Sequence, residues 1–194
     1  MGVCKVGDVA AVQMGYSFRA GIHALPAAGP VGVIQTRDLG DVVVADATEW
    51  AHVEMEPSET HLVRQGDIAF RSRGDSFSSA IVHEVPEIAV LAAPLLRIRV
   101  TDTRVLPAYL NWFINQPPAQ AHFAKSAEGG SVKMINKTAL ENLEVDAPSL
   151  ERQEAIVALA ALATRERHLV TALGKRRTQF LSEVMMNHAQ GGTR

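Results

Sequence analysis

The side chains that most often carry out covalent or acid–base chemistry are scattered along this 194-residue chain. The seven histidines occur singly, and Cys4 is the one cysteine. The sequence has no H-E-x-x-H or paired C-x-x-C spacing for zinc, no G-x-S-x-G element for a nucleophilic serine and no glycine-rich phosphate loop. We therefore expect a protein without a catalytic site, a metal or a cofactor of its own.

The segment Asn115-Gln116-Pro117-Pro118 is faintly similar to the N-P-P-Y loop with which adenine methyltransferases hold a flipped base. The order of the residues differs, the aromatic residue is missing, and no glycine-rich cofactor loop precedes the segment. An enzyme is therefore the least favoured alternative.

The charge is unevenly distributed, although the overall net charge is only −2. Residues 1–148 contain 12 basic and 17 acidic side chains, whereas residues 149–194 contain 7 basic and 4 acidic ones. Seven acidic residues and no Lys or Arg lie between Asp38 and Glu59. We interpret this segment as a solvated acidic surface that faces away from any phosphate. Composition thus argues mildly against a nucleic-acid partner.

The single cysteine is typical of proteins in a reducing compartment. The N-terminal residues lack the apolar stretch of a signal peptide, and no apolar run reaches the length of a membrane span. We expect a cytoplasmic protein.

Short runs rich in Val and Ile predict strands in the first part of the chain, because Gly, Pro and Asp bound them. These runs are residues 31–35, 41–45, 68–70, 79–83, 88–91 and 95–100. In the last run apolar and basic residues alternate, which predicts one buried and one solvated face.

Two short helices are predicted between the strands and the C-terminal segment. Pro107 begins a helix over residues 108–115, which Pro117 and Pro118 end. Tyr109, Trp112 and Phe113 on this helix are expected in the core rather than stacked on bases. A second helix over residues 137–143 has Asn136 as its N-cap.

After Pro148 the pattern becomes that of one long helix, with Ser149 as its N-cap and Gly174 as its one internal glycine before residue 188. A helix of roughly 39 residues is about 58 Å long. The sequence therefore predicts an α+β domain over residues 1–148, with a mixed or antiparallel sheet, followed by a long coiled-coil helix over residues 149–190.

The long helix has apolar residues at the a and d positions of a heptad repeat, and Leu162 and Leu169 widen the stripe. The positions are Ile156, Leu159, Ala163, Val170, Leu173, Phe180 and Val184. Glu166 and Arg177 are the polar exceptions: they either set the register of an antiparallel helix pair or face the solvent. Because a small domain cannot cover so long a stripe, we expect a partner helix, and parallel and antiparallel pairing both remain open.

Eight short motifs follow one another along nearly the whole chain. They are KVGDVA at 5–10, GYSF at 15–18, VIQTRDL at 33–39, QGDIAFRSRG at 65–74, LPAYL at 106–110, GGSVKMINK at 129–137, LENLEV at 140–145 and PSLERQEAIV at 148–157. In this order they resemble the specificity (S) subunits of type I restriction–modification systems. The fourth motif is the most specific, since it is similar to the family's G-D-I-L-F-x-x-R-G turn and strand.

The resemblance implies a non-catalytic, DNA-reading subunit that directs methyltransferase (modification) and restriction subunits; S-adenosylmethionine and ATP would belong to those partners. A typical S subunit has two recognition domains and two long helices, whereas this chain has one of each. We therefore expect a homodimer on double-stranded DNA with a bipartite, roughly palindromic site. The alternative is a stand-alone DNA-binding regulator or a phage-defence adaptor that uses the same fold.

The resemblance also implies which side chains contact DNA, because phosphates and base edges are bound by Arg, Lys, Gln, Asn and Ser on loops. The candidates are Arg71 and Arg73; Ser131, Lys133, Asn136 and Lys137 around Gly129-Gly130; Tyr16, Ser17, Phe18, Arg19 and His23; and Gln35 and Arg37. For each group an ordinary surface role is the alternative. Lys175, Arg176 and Arg177 are expected to be a solvated flank of the helix.

Overall fold

The computed structural model describes residues 2–18, 22, 29–40, 43–44, 47–85, 88–130 and 132–190. The chain divides into two units, Met1–Glu154 and Ala155–Arg194. The first unit combines sheets with short helices, and the second continues the C-terminal helix. The expected α+β fold with a long C-terminal helix is confirmed.

The strands of the described residues are β1 (Val3–Lys5), β2 (Ala10–Met14), β3 (Val31–Ile34), β4 (Ala51–Val53), β5 (Ile68–Arg71), β6 (Ser79–Ile81), β7 (Ile88–Leu91), β8 (Leu95–Val100) and β9 (Glu144–Asp146). The helices are α1 (Val6–Val9), α2 (Pro107–Ile114), α3 (Pro117–Ser126), α4 (Lys137–Glu141) and α5 (Leu150–Ala189). Single 3₁₀ turns occur at Thr36–Asp38, Ala47–Glu49 and Glu59–His61.

The strands form three sheets. Four strands pair antiparallel in the order β2-β8-β5-β6. In the second sheet, β3 pairs antiparallel with β4 and parallel with β7. The third sheet is the antiparallel pair of β1 and β9. Phe70 and Ile98 of the larger sheet are fully buried, as is Phe123 of α3, so one part of the core lies between this sheet and the helices. A second buried cluster joins Leu95 of this sheet to Ile34 and Leu91 of the β3 sheet.

Five of the six strands predicted from the sequence are present; two have the predicted bounds, and three have one end shifted by one or two residues. The sixth, residues 41–45, lies partly outside the described residues; of it, Val43 and Val44 make isolated bridges. Sequence reasoning missed β1, β2, β4 and β9. Three of these have only three residues, too few to show a period-2 pattern.

The prediction that β8 has a solvated basic face is wrong for Arg97, which is only 8% exposed. Its guanidinium donates to the carbonyl oxygens of Thr60 (3.0 Å) and Leu62 (2.7 Å). Burial, followed by the charge of Arg99, lowers the pKa of Arg97 from its ordinary value. Strand alternation failed here because a loop from a distant part of the chain covers the arginine and supplies its hydrogen-bond acceptors.

The helix predicted from Pro107 is confirmed as α2, which ends at Ile114, before Pro117. Sequence reasoning missed α3, which begins at Pro117, because a proline in the first turn of a helix needs no amide donor. The core position of Tyr109 is confirmed: it is 3% exposed and its hydroxyl donates to the carbonyl oxygen of Asp146 at 2.7 Å. Trp112 and Phe113 are half-buried.

The long helix is confirmed as α5, which has 40 residues. Its large apolar side chains from Leu159 onward are exposed; Leu159 is 68% and Phe180 63% exposed. None of the described helices has both the length and the hydropathy of a membrane span.

The first turn of α5 is fixed to the α+β unit by Gln153, whose side chain is fully buried. Its carbonyl oxygen accepts a hydrogen bond from the backbone N–H of Leu106 at 2.8 Å. Its amide nitrogen donates to the carbonyl oxygens of Arg104 and Pro148, both at 2.8 Å. One side chain thereby satisfies three backbone groups, at the N-terminus of α2 and at the start of α5.

Gln153→Ala should lower the free energy of unfolding by about 2–3 kcal/mol, because buried backbone groups lose their partners. Urea denaturation followed by circular dichroism measures this change. The exposed neighbour Arg152 is the control, and Arg152→Ala should change stability by about 0.5 kcal/mol or less. Equal stability of the two variants would contradict a structural role for Gln153.

Candidate nucleic-acid interface

Polar segments from three parts of the chain meet where β5 ends. The last residue of β5, Arg71, donates to the carbonyl oxygen of Thr36 at 3.1 Å and lies 3.5 Å from the hydroxyl of Ser76. These contacts join the end of β5 to the turn Thr36–Asp38, which directly follows Gln35. Arg71 and Gln35, predicted separately, therefore belong to one surface.

The segment after β5 also pairs with the loop that precedes α4. Ile135 donates its backbone N–H to Ser72 at 2.8 Å, and Gly74 donates to Lys133 at 3.1 Å. Arg73 forms an isolated bridge with Met134 between these two bonds. The exposed Arg73 and Lys133 thus lie on adjacent backbone segments.

The predicted group that contains Tyr16 and Ser17 also lies at this end of the sheets. Gly15, which follows β2, donates to Leu95 at 2.8 Å, and Leu95 is the residue of β8 that pairs with Arg71. Tyr16 pairs with Ala92, which in turn donates to Ile34 at the end of β3. The backbone therefore brings the described members of all four groups to one end of two sheets, although they are far apart in the sequence.

The side chain of Tyr16 packs within the protein. Its ring lies 4.8 Å from that of Phe18 and 5.5 Å from that of His61, measured between centroids. Ser17 beside it is exposed. Arg19, His23 and Ser131 lie outside the described residues.

We call this end of the sheets the basic face, defined by the exposed side chains of Arg37, Arg73, Lys133 and Lys137. Arg37 lies 3.5 Å from Asp38, and Lys137 lies 3.5 Å from Glu141. Asp38 is buried rather than solvated, and its carboxylate accepts a hydrogen bond from the backbone N–H of Gln35 at 2.7 Å. The prediction of a solvated acidic surface is thus wrong at this residue.

Two polar atoms beneath the basic face have no partner in the described part of the chain. They are Nε2 of Gln35 and Nε of Arg71, and both are buried. Arg71 also holds the Thr36 turn, so it positions the face as well as contributing charge. Sequence reasoning identified both residues but not the contact between their segments.

Asn136 has a structural role in addition to its place at this face. Its side-chain oxygen accepts from the backbone N–H of Ala139 at 2.8 Å, which confirms it as the N-cap of α4. Its side-chain nitrogen donates to the carboxylate of Glu128 at 3.1 Å. Both ends of this amide are engaged, so it is less available to a base edge than Lys133.

Sequence reasoning missed the anchors of the loop around Glu59–His61. Arg99 forms a bidentate ion pair with Asp67, at 2.6 and 2.7 Å, and donates to the carbonyl oxygen of Leu62 at 2.9 Å. Together with Arg97, it holds the loop whose His61 packs on Tyr16. The signal in the sequence was the pair of arginines in a strand that is otherwise buried.

The loop before α4 is closed rather than open. Glu128 and Met134 exchange two backbone hydrogen bonds, at 3.0 and 2.9 Å. Gly129 has a φ of +111°, and a Cβ there would lie 2.5 Å from the carbonyl oxygen of Val132. Only glycine fits this turn, whereas a Cβ at Gly130 would meet no atom within 4 Å.

The solved structures that are similar to this chain include three from type I restriction–modification systems. A chain from a study of complex assembly and conformational transition of the type I R-M system matches with a TM-score of 0.66 and 18% identity, over 95% of this chain and 42% of that one. The HsdS subunit from Thermoanaerobacter tengcongensis matches with a TM-score of 0.62 and 18% identity, over 84% and 37%. The type I restriction-modification S subunit from M. genitalium matches with 0.59 and 11%, over 96% and 45%.

No family model and no curated protein matches the sequence. The structural matches establish the fold: the chain folds as part of a type I restriction–modification S subunit does, as the resemblance of the motifs implied. The chain spans between 37% and 45% of the length of these solved chains.

Gly129→Ala should lower the free energy of unfolding by about 1–3 kcal/mol, because the new methyl group meets a backbone carbonyl at a positive φ. Gly130→Ala is the matched control and should be close to neutral. Urea midpoints of the two variants make the comparison. A neutral Gly129→Ala would contradict the turn described here.

Proposed function

We propose that the chain is the sequence-reading, non-catalytic specificity subunit of a type I restriction–modification system. The observation that carries this proposal is the basic face, where four segments meet at one end of two sheets in a protein with an S-subunit fold. Exposed Arg and Lys side chains there are suited to phosphates and to guanine edges. The acidic residues of the chain do not prevent this function, since affinity depends on the local face.

We infer that the functional form is a dimer of two chains joined through α5. Each chain brings one α+β unit, so a two-fold dimer presents two basic faces and is suited to a bipartite, roughly palindromic site. Large apolar side chains exposed along α5 support this inference, because monomeric soluble proteins rarely expose so long an apolar stripe. A helix of about 60 Å limits the separation of the half-sites to roughly 17–18 base pairs.

In this proposal the modification subunit supplies adenine methylation with S-adenosylmethionine, and the restriction subunit supplies ATP-dependent cleavage. The chain itself directs both to their site. These partners are inferred from the similar proteins, which come from type I systems.

The function is tested by co-expressing the full chain with a type I modification subunit and mapping methylated adenines in the host DNA. We expect the two proteins to co-purify and methylation to occur within one bipartite motif. Specific DNA binding by the isolated dimer, with no methyltransferase recovered, would instead identify a stand-alone DNA-binding regulator.

Arg73→Ala should weaken binding of a duplex carrying the mapped motif by about 1–3 kcal/mol, because an arginine that pairs with a base or a phosphate is lost. Titration at several salt concentrations distinguishes the two contacts: loss of a phosphate contact also reduces the salt slope by about one. Arg104, exposed and paired with Asp102 at 2.6 Å, is the control. Unchanged affinity and salt slope in Arg73→Ala would exclude this residue from the interface.

Leu173→Glu should convert the dimer into a monomer, because it places a charge in the middle of the exposed apolar stripe of α5. Light scattering on the full chain gives the mass of each variant. The control is Lys175→Glu, which changes a charge in the same part of the helix. A monomeric wild-type chain at micromolar concentration would remove the dimer from the proposal.

A further inference from the structure

We propose that Arg73, Met134 and Glu128 form one row of side chains that reads three consecutive base pairs in the major groove of DNA. The row, here called the reading row, selects a T·A pair between two G·C pairs. This inference rests on the function proposed above and specifies which side chains make the base contacts. It follows from the backbone pairing of three segments and from the chemistry of the side chains that this pairing aligns.

Backbone pairing sets the three residues of the reading row side by side. Met134 lies in the middle, since it forms antiparallel bridges with both Arg73 and Glu128. Glu128 and Met134 exchange two backbone hydrogen bonds, at 3.0 and 2.9 Å, whereas the residues that flank Arg73 and Met134 make the bonds of that pair, at 3.1 and 2.8 Å. Opposite Cα atoms are about 5.5 Å apart in the first kind of pair and about 4.5 Å in the second. In both kinds the opposite side chains share a face.

The shared face of the reading row points to the solvent. Ser72 and Ile135, which precede Arg73 and follow Met134, are each only 1% exposed. Because successive side chains of a strand point to opposite faces, Arg73 and Met134 point away from this buried pair. Met134 is 42% exposed, and the charged residues on both sides of it are exposed as well. The row is therefore presented to a partner rather than to the core.

The composition of the reading row favours base edges over phosphates. A phosphate attracts cations alone, so the carboxylate of Glu128 would repel it, and Met134 would offer it no strong hydrogen bond. The major-groove edges of bases present hydrogen-bond acceptors, a methyl group and amino donors. The row offers a donor, an apolar group and an acceptor, which match these three. Lys133 and Lys137, both exposed, are suited to the phosphates beside them.

Each side chain of the reading row has one preferred base. The guanidinium of Arg73 is suited to donate two hydrogen bonds to O6 and N7 of guanine, and Met134 to pack on the C5 methyl group of thymine. Glu128 accepts from the N4 amino group of cytosine; adenine is disfavoured because its N7 acceptor lies beside the amino donor. The minor groove presents neither the thymine methyl group nor the cytosine amino group. The row therefore requires the major groove.

The dimensions of the reading row agree with this assignment. The Cα atoms of Arg73 and Glu128 are about 10 Å apart across the two pairs, and the major groove is about 12 Å wide. Three consecutive base pairs extend over about 7 Å, so the long outer side chains need to lean only slightly toward Met134. Asn136 donates to the carboxylate of Glu128 at 3.1 Å and so orients it. A carboxylate accepts about four hydrogen bonds, which leaves capacity for a base.

Selection from a library of random DNA duplexes tests the reading row, with the full chain alone and together with the modification subunit. We expect the wild-type chain to enrich a motif that contains a T·A pair between two G·C pairs. Arg73→Ala, Met134→Ala and Glu128→Ala should each lose the preference at one of these base pairs and keep it at the other two. The control is Ile88→Ala, a 50% exposed apolar residue at the opposite end of β7, which should keep all three preferences.

Replacing the central thymine by uracil gives a second readout that leaves the protein unchanged. Loss of the C5 methyl group should raise the Kd of the wild-type chain about threefold to fivefold, the effect of one buried methyl group. Met134→Ala should bind the two duplexes equally. Lys133→Ala is the phosphate control: it should weaken the binding of both duplexes alike and reduce the salt slope by about one. Fluorescence anisotropy at several salt concentrations measures these values.

The outcomes distinguish the reading row from the proposed function. The row would be overturned, and sequence-specific binding would stand, if the three variants kept every base preference of the wild-type motif. Equal binding of thymine and uracil duplexes by the wild-type chain would have the same meaning, as would a reduced salt slope in Arg73→Ala. A wild-type chain that enriches no motif, alone or with the modification subunit, would overturn both.

Discussion

Three hydrogen bonds of one buried amide, that of Gln153, fix the place where the α+β unit passes into the long helix. They satisfy the backbone at the start of α2 and at the turn before α5, and the Gln153 side chain itself is fully buried. Because an unpaired buried donor or acceptor costs about 1–3 kcal/mol, the first turn of α5 has one stable position on this unit.

Further along α5, from Leu159 onward, the large apolar side chains are exposed to solvent. Exposed apolar side chains extend along α5 from Leu159 to Met186, and the free energy of burying such surface is roughly 25 cal/mol per Å². Hydrophobic burial then supplies the affinity of the proposed dimer.

At the end of the sheets where β5 ends, arginines that are bonded within the protein hold the segments beside the exposed ones. Arg97 and Arg99 hold the loop around His61, and Arg71 holds the turn after Gln35. These guanidiniums are engaged by carbonyl and carboxylate oxygens of the chain itself. Arg73 and Lys133 remain exposed beside them, and they are the side chains best suited to an anionic partner.

Local sequence patterns were enough to predict the elements that depend on nearby residues. The heptad repeat and the absence of proline after Pro148 predicted the long helix to within a residue of its observed end, and Asn136 was correctly predicted as an N-cap. The order of the motifs predicted the S-subunit fold, although no family model matches. In each case the signal is either a pattern among neighbouring residues or a set of short motifs in a fixed order along the chain.

By itself, then, the sequence determined the α+β class, the extent of α5 and the residue types available for binding. Only the tertiary structure decided that Arg97 is buried while Arg73 is exposed, and that Gln153 is an anchor rather than a surface residue. It also brought the end of β5 together with Gln35 and Lys133. These facts depend on contacts between residues more than thirty positions apart, such as those of Arg71 with Thr36 and of Gln153 with Leu106. Long-range contacts of this kind leave no periodicity in the sequence, because each is set by how separate elements pack.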